Sequence, residues 1–435
     1  MERAARLPPV ILDQLRVRTF KSFPDALLRI GPLTLLVGPN ASGKSNLIEA
    51  LRLLSWMARG QRLDKFSEAV ERGELPVRGR AEDLPSDGDR LFRFDCTFRF
   101  SDAHALSSLR KLHVTVGVLG SALRIENESL SHVIQPNDFL YRVVAPAKPP
   151  SHDIQVAYYA WELEPQTICQ DHQLVLTQPA VFDPEYRSPT WAMSHLADAL
   201  SRVFFLDPQP ARMRGYVSRD ASLGEDGTFV SGVLFNVCGN EGGREEVLRF
   251  VRALPEQEIR AIGFDEAPSH EVRVKLTETF GGRERARDAR VLSDGTLRIL
   301  AIGAALLSVP EWSTVVIEEI DSGIHPSRAR DLLANIRRIA ERRSLGVLLT
   351  SHNPALLDAL PEEALGDVTY CYRDPRTGLS QLARLDDRPD LLAQGPMGHL
   401  MARGVLEQAF KDPRDAEQRR HDALAWVDAL GKREP

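Results

Sequence analysis

The sequence predicts an α/β chain in which a parallel, helix-covered sheet is split by a long antiparallel β-rich insertion, and three observations carry that reading. An apolar strand, Leu33–Val37, runs straight into Gly38-Pro39-Asn40-Ala41-Ser42-Gly43-Lys44-Ser45 and then into an amphipathic helix. Segments between residues 91 and 182 alternate apolar and polar residues, as antiparallel strands with one solvated face do. Residues 292–350 then read helix, strand, helix, strand, the alternation that builds a parallel sheet.

In chain order, Leu15–Phe20 and Leu33–Val37 read as strands, and a helix beginning at Lys44 or Ser45 carries Leu47, Leu51 and Leu54 on one face. Phe92–Phe100, His113–Val116 and Ile154–Trp161 are the clearest alternating strands of the insertion. Helical patterns return over Trp191–Phe205 and Arg244–Ile262, followed by a strand at Glu271–Thr277. The closing block is helix 292–307, strand Thr314–Ile320, helix Arg328–Arg342 and strand Gly346–Thr350. From Asp386 the chain is polar and helix-prone. This divides the sequence into 10–62 and 281–385 as two parts of one head, 63–280 as an inserted β-rich and helical region, and 386–435 as a helical tail. No internal repeat or long heptad run is present, which argues against a coiled-coil arm.

A chain of 435 residues with 43% hydrophobic and 27% charged residues buries an ordinary globular core. A net charge of −6 argues against a generally basic nucleic-acid-coating protein but leaves room for a local basic patch. The four cysteines, Cys96, Cys169, Cys238 and Cys371, have neither metal-site spacing nor the density of a disulfide framework, so buried reduced thiols are expected. The first residues lack a signal-peptide core, and the longest apolar run, Ile299–Val309, is too short to span a bilayer. The expectation is a soluble cytoplasmic chain with no membrane partner.

The loop from Gly38 to Ser45 fits GxxxxGK[ST]. Gly38 and Gly43 let such a loop fold around an anion, with backbone N–H groups and the helix N-terminus aimed at phosphates. Lys44 then reaches the β- and γ-phosphates, Ser45 ligates Mg²⁺, and Pro39, Asn40, Ala41, Ser42 and Asn46 complete the contact surface. A second element, Thr314–Ile317 followed by Glu318 and Glu319, delivers carboxylates at the end of a buried parallel strand, where ligand crevices lie. Glu318 is assigned to the metal and Glu319 to the general base that orients water. Two acids at a strand end are more often a solvated terminus; beside a phosphate loop the functional reading gains. Ser293-Asp294-Gly295 opens the apolar helix that follows, an ordinary helix start or, in the functional reading, a grip on a γ-phosphate presented by a second subunit. His352, directly after a buried strand, is placed to contact that phosphate.

These motifs, in this order, resemble the ATP-binding-cassette (ABC-type) ATPases, specifically the class that includes structural-maintenance-of-chromosomes (SMC) heads, RecF-like proteins and AAA15/AAA21-type predicted ATPases. Leu15–Phe23 is similar to that class's first strand and Phe-Lys-Ser turn, Gly38–Asn46 to its Walker A, Leu292–Thr296 to a degenerate signature motif, Ile317–Pro326 to Walker B and the turn after it, and His352 to its switch histidine. The chain departs from the pattern at Glu318, where Asp is usual, and at Ile320, where Pro often follows the base. The resemblance implies a P-loop head that uses ATP and Mg²⁺, homodimerises on ATP so that Ser293 and Gly295 act in trans, and hydrolyses slowly as a lone monomer. The leading functional expectation is an ATPase whose cycle acts on DNA, in repair or genome maintenance. The alternative is an ATP-loaded switch over a separate effector, such as a nuclease or toxin in antiphage defence. Arginine clusters at 212, 214 and 219, at 283, 285, 287 and 290, and at 414, 419 and 420 are interspersed with acids and read as solvated faces, the second of them alternatively as a phosphate-contacting surface.

Overall fold

The computed structural model describes residues 9–86, 88–101, 110–133, 139–158, 166–178, 190–252, 258–280, 282–321, 326–360, 362–392 and 394–411. His325 of the turn after Glu319, the cluster Arg414, Arg419 and Arg420, and the end of the inserted β-rich segment lie outside the described residues.

Short runs of β-branched and aliphatic residues build the central sheet. Its six strands lie in the order Val203–Leu206, Thr314–Ile317, Gly346–Ser351, Thr34–Val37, Val368–Arg373, Ser380–Arg384, parallel except for the last pair. Thr34–Val37, Thr314–Ile317 and Gly346–Ser351 are buried at every position, as strands covered on both faces must be. Alternation still sorts their side chains. Leu36, Val316, Leu348 and Cys371 face one hydrophobic core, and Leu35, Val37, Val315, Ile317, Val347 and Leu349 face the other.

The first core holds the helix Lys44–Ala58 against a second, eight-stranded antiparallel sheet. Its order is Phe23–Arg29, Val10–Phe20, Leu91–Phe100, Arg110–Leu119, Ala122–His132, Phe139–Ala145, Asp153–Tyr158, Gln166–Gln170. The antiparallel sheet expected from the alternating segments is therefore present, and the N-terminal hairpin is part of it. Val10–Phe20 pairs with Leu91–Phe100 from Val10↔Phe100 to Arg18↔Arg93, so this strand belongs to the inserted sheet and not to the parallel one. The second core is closed by the helices Asp294–Ser308 and Pro326–Arg343, by Val230–Val237 and Glu241–Val251, and by a small sheet centred on Glu271–Phe280.

Two helical readings are corrected. The pattern over Trp191–Phe205 is a helix, Thr190–Ser201, followed by an edge strand of the parallel sheet, Val203–Leu206. The pattern over Arg244–Ile262 is a helix, Glu241–Val251, followed by the strand Glu258–Glu266. In both, an apolar run continues past the helix and tertiary pairing overrides propensity. Among the described residues after Asp386 there are three short helices, Pro389–Leu392, Met397–Ala402 and Val405–Lys411; residues 412–435 of the expected tail lie outside them. All four cysteines are free and buried. Among the described residues no helix is long and apolar enough to cross a membrane.

Candidate nucleotide-binding site

The phosphate loop owes its shape to what presses on it from behind. Gly38, at φ 156°, lies so close to the strand Val368–Arg373 that a Cβ would sit 2.1 Å from the Cys371 carbonyl oxygen. Gly43, at φ 121°, would place a Cβ 2.2 Å from Ser380 Oγ. A hairpin far away in sequence thus dictates both glycines. The Ser380 hydroxyl lies within hydrogen-bond distance of the Ser42 carbonyl (2.6 Å) and of Ser22 Oγ (2.7 Å), and Asn46 Nδ2 donates to Ser22 Oγ at 2.8 Å. The Phe-Lys-Ser turn is accordingly a strut for the loop. Its Lys21 pairs with Glu49 of the following helix.

That helix starts without a side-chain cap and without an acid in its first turn, so its N-terminal N–H groups and positive dipole end carry no anion from the chain itself. Lys44 Nζ donates to the carbonyls of Gly38 (2.6 Å) and Pro39 (2.9 Å). Burial pulls its pKa below the ordinary lysine value, against the opposing pull of Cys371, Glu319 and Asp321. A cavity of about 440 Å³ opens in front of the loop, walled by residues 40–46 and Ile48, by Glu318 and Glu319, by Thr350, Ser351 and His352, and by Arg78 and Arg373.

Two neighbouring strands aim the carboxylates. Glu318 N–H donates to the Leu206 carbonyl at 3.0 Å, Glu319 N–H to Thr350 Oγ1 at 3.0 Å, and Ile320 N–H to the Thr350 carbonyl at 3.0 Å. Glu319 is held at φ 47°, a left-handed backbone that costs a non-glycine residue on the order of 1 kcal/mol. Burial pushes the Glu318 pKa above the ordinary carboxylate value, with Arg52 working against it. Asp321 is nearly buried, with one carboxylate oxygen 3.9 Å from His352 Nδ1 and the other without a hydrogen-bond partner.

Of the residues expected from the sequence, Asn40 to Asn46, Glu318, Glu319 and His352 meet at this cavity. Gly38 and Pro39 lie behind it as acceptors for Lys44. Ser293, Asp294 and Gly295 do not line it. Ser293 caps the helix Asp294–Ser308 through Thr296 N–H at 3.1 Å, and Asp294 pairs with Arg214 at 2.5 Å. Arg214 also donates to the carbonyls of Ala289, Arg290 and Leu292, which fixes the turn before that helix. Sequence reading missed Arg78 and Arg373. Arg78 is held by Glu49 and Asn46, and Arg373 donates to the Ala41 carbonyl at 2.9 Å. Both sit outside any motif, and only tertiary folding brings them to the loop.

The residues present fit a magnesium-bound polyphosphate. A hard divalent cation takes oxygen ligands, and Ser45, Glu318 and Glu319 offer a hydroxyl and carboxylates on facing walls. Lys44, Arg78, Arg373 and the helix N-terminus offer positive charge to phosphate oxygens. Ser42 Oγ is buried without a partner at the same wall.

The family model described as "AAA domain, putative AbiEii toxin, Type IV TA system" matches residues 33–95 and 211–358. The DNA replication and repair protein RecF of Magnetococcus marinus is 53% identical over 45 residues, 10% of this chain and 12% of that protein. RecF of Acaryochloris marina is 41% identical over 64 residues, 14% of this chain and 17% of that protein. The alignments thus span less than a fifth of those relatives' length. Among solved structures, an SMC head bound to the C-winged helix domain of ScpA is 10% identical, with a TM-score of 0.46 over 87% of this chain and 99% of that one. The SMC head domain from Thermotoga maritima is 14% identical, with a TM-score of 0.39 over 86% of this chain and 98% of that one. A phosphate loop on a central parallel sheet, carboxylates at the end of a strand of the same sheet and these matched segments are features of ABC-type ATPase heads, the class the chain resembles. Over those short segments it is similar to RecF.

Proposed function

We propose that the chain binds and hydrolyses Mg·ATP in this cavity, that two heads close on the nucleotide, and that the cycle acts on DNA. The observation that carries the reading is the single cavity in which an uncapped helix N-terminus, Lys44 and the Glu318–Glu319 pair face one another.

Lys44 leaves the Gly38 and Pro39 carbonyls for the β- and γ-phosphates, a short movement because its ammonium already lies over the loop. Ser45 and Glu318 would hold Mg²⁺, which would supply charge neutralisation at the phosphate oxygens. Glu319 orients and deprotonates the attacking water, its backbone fixed by Thr350. His352 contacts the γ-phosphate from the neighbouring strand end, and Ser293 and Gly295 serve the nucleotide of a second head. RecF relatives, described as DNA replication and repair proteins, support DNA as the target.

Steady-state hydrolysis over a range of protein concentrations, with and without linear duplex DNA and with Lys44→Ala as control, tests the proposal. A rate per subunit that rises with protein concentration and with DNA supports it. A slow, DNA-indifferent rate favours a partner-gated switch over an effector, the reading that the toxin-system description of the matched family supports.

A further inference from the structure

Outside the nucleotide site, one cluster of side chains among the described residues has the composition of a transition-metal site. His152, just before the strand Asp153–Tyr158, and Asp171 and His172, just after the strand Gln166–Gln170, bring one ligand atom each to within 4.8 Å of one another. Backbone hydrogen bonds fix the three positions. Asp171 N–H donates to the His152 carbonyl at 2.8 Å, Ile125 N–H to the Asp171 carbonyl at 2.6 Å, and Leu63 N–H to the His172 carbonyl at 2.7 Å. The cluster therefore sits where the antiparallel sheet meets the turn after the phosphate-loop helix.

Asp171 is fully buried. One of its oxygens takes His152 Nδ1 at 2.7 Å; the other has no hydrogen-bond partner. The nearest cation to that second oxygen is Arg124, 3.7 Å away and beyond hydrogen-bond range, so the carboxylate keeps an unspent lone pair. The two imidazoles stand edge to face with centroids 5.8 Å apart, and the His172 ring makes no hydrogen bond among the described residues. A buried carboxylate oxygen without a hydrogen-bond partner thus lies beside two imidazoles.

We propose that His152, Asp171 and His172 form a site for a first-row divalent transition metal such as Zn²⁺. Two imidazoles and one carboxylate suit such an ion, with metal–ligand distances of about 2.0–2.2 Å and an open position for water. They do not suit Mg²⁺, which prefers all-oxygen coordination. Rotation of the exposed His152 ring away from its Asp171 hydrogen bond closes the set, and binding displaces the proton between them. The loaded site clasps the outer strands of the inserted sheet beside the turn that begins at Leu63. The inference is independent of the ATPase reading.

Titration calorimetry of the tag-free, EDTA-stripped full chain with ZnCl₂, in excess MgCl₂ to occupy hard-cation sites, tests it, with Co²⁺ absorption as a second readout. One ion per chain is expected, with a Co²⁺ d–d band, equal binding by Lys44→Ala, and at least tenfold weaker binding by His152→Ala and by His172→Ala. His152 is exposed, so its variant reports on ligation even if His172→Ala folds poorly. No uptake by the wild-type chain, or wild-type affinity in His152→Ala, overturns the proposal.

Discussion

Arg52 reaches across from the phosphate-loop helix to Glu318, its guanidinium 3.4 Å from the carboxylate, while stacking on the Phe205 ring at 4.1 Å and pairing with Glu225 at 2.5 Å. One arginine thus ties the helix to two neighbouring strands of the parallel sheet and opposes the effect of burial on the carboxylate assigned to the metal. Burial raises the Glu318 pKa, Arg52 lowers it, and Asp207 and Glu225 raise it. Removing Arg52 moves that pKa further up. In Arg52→Met, which keeps most of the apolar stem, the acid limb of the pH profile of Mg-dependent ATP turnover is expected to shift to higher pH, with turnover at neutral pH down on the order of tenfold. An acid limb unmoved from wild type would remove Glu318 from the rate-limiting ionisation.

The two loop glycines should differ in how severely an added methyl acts. At Gly38 it meets a backbone carbonyl, which cannot swing aside; at Gly43 the first obstacle is the Ser380 side chain. Gly38→Ala is therefore expected to lower the melting temperature more than Gly43→Ala. Ser380→Gly should recover most of the steric part of the Gly43→Ala loss, leaving the Phe23 ring 3.1 Å from the added methyl and the part due to positive φ, on the order of 1–2 kcal/mol. Additive losses in the double variant would show that the two side chains do not compete for one space.

That Lys44, Ser45 and the Glu318–Glu319 pair line one cavity was foreseeable because each belongs to a local pattern of backbone and side chain. The strand before the loop and the strand before the carboxylates were legible for a related reason: continuous apolar runs such as Thr314–Ile317 belong to sheets covered on both faces. What escaped depends on distant segments. Val203–Leu206 extends a helical apolar run by four residues and becomes a strand only because Thr314–Ile317 offers it a parallel partner. Arg78 and Arg373 gain their place at the cavity from Glu49 and from the Ala41 carbonyl, contacts that no spacing encodes. Asp321 stands two residues after Glu319, but its approach to His352 depends on the register of two strands.

Glu128 makes stability depend on pH far from the nucleotide site. It is fully buried; Oε1 accepts from Tyr141 Oη at 2.6 Å and from Leu176 N–H at 2.8 Å, and Oε2 from Val175 N–H at 2.8 Å. Burial pushes its pKa up to about 7, with the three donors pulling the other way. Because the folded value lies above the unfolded value of 4.5, the folded chain binds the extra proton. The contribution of this group is fully present below about pH 4.5 and is lost as pH rises through about 7. Melting temperatures across that range should fall for the wild-type chain, with a smaller slope in Glu128→Gln. The variant itself should be less stable by about 1–3 kcal/mol, since its amide brings donors to a pocket that already supplies three. An unchanged slope would assign the titration to another group.

Glu319 separates stability from turnover in one position. Its φ of 47° suits glycine, and its N–H is already held by Thr350, so the strain belongs to the residue type and not to a loose turn. Glu319→Gln keeps the strain and removes the base; its melting temperature should match wild type while turnover falls at least a hundredfold and bound ATP persists. Glu319→Gly removes both, and should raise stability by up to about 1 kcal/mol with the same loss of turnover. The two variants together distinguish a catalytic carboxylate from a structural one. If glycine destabilises the chain, the Glu319 side chain is part of the scaffold, and if glutamine turns over ATP at the wild-type rate, the base lies elsewhere, with Asp321 beside His352 the next carboxylate in reach.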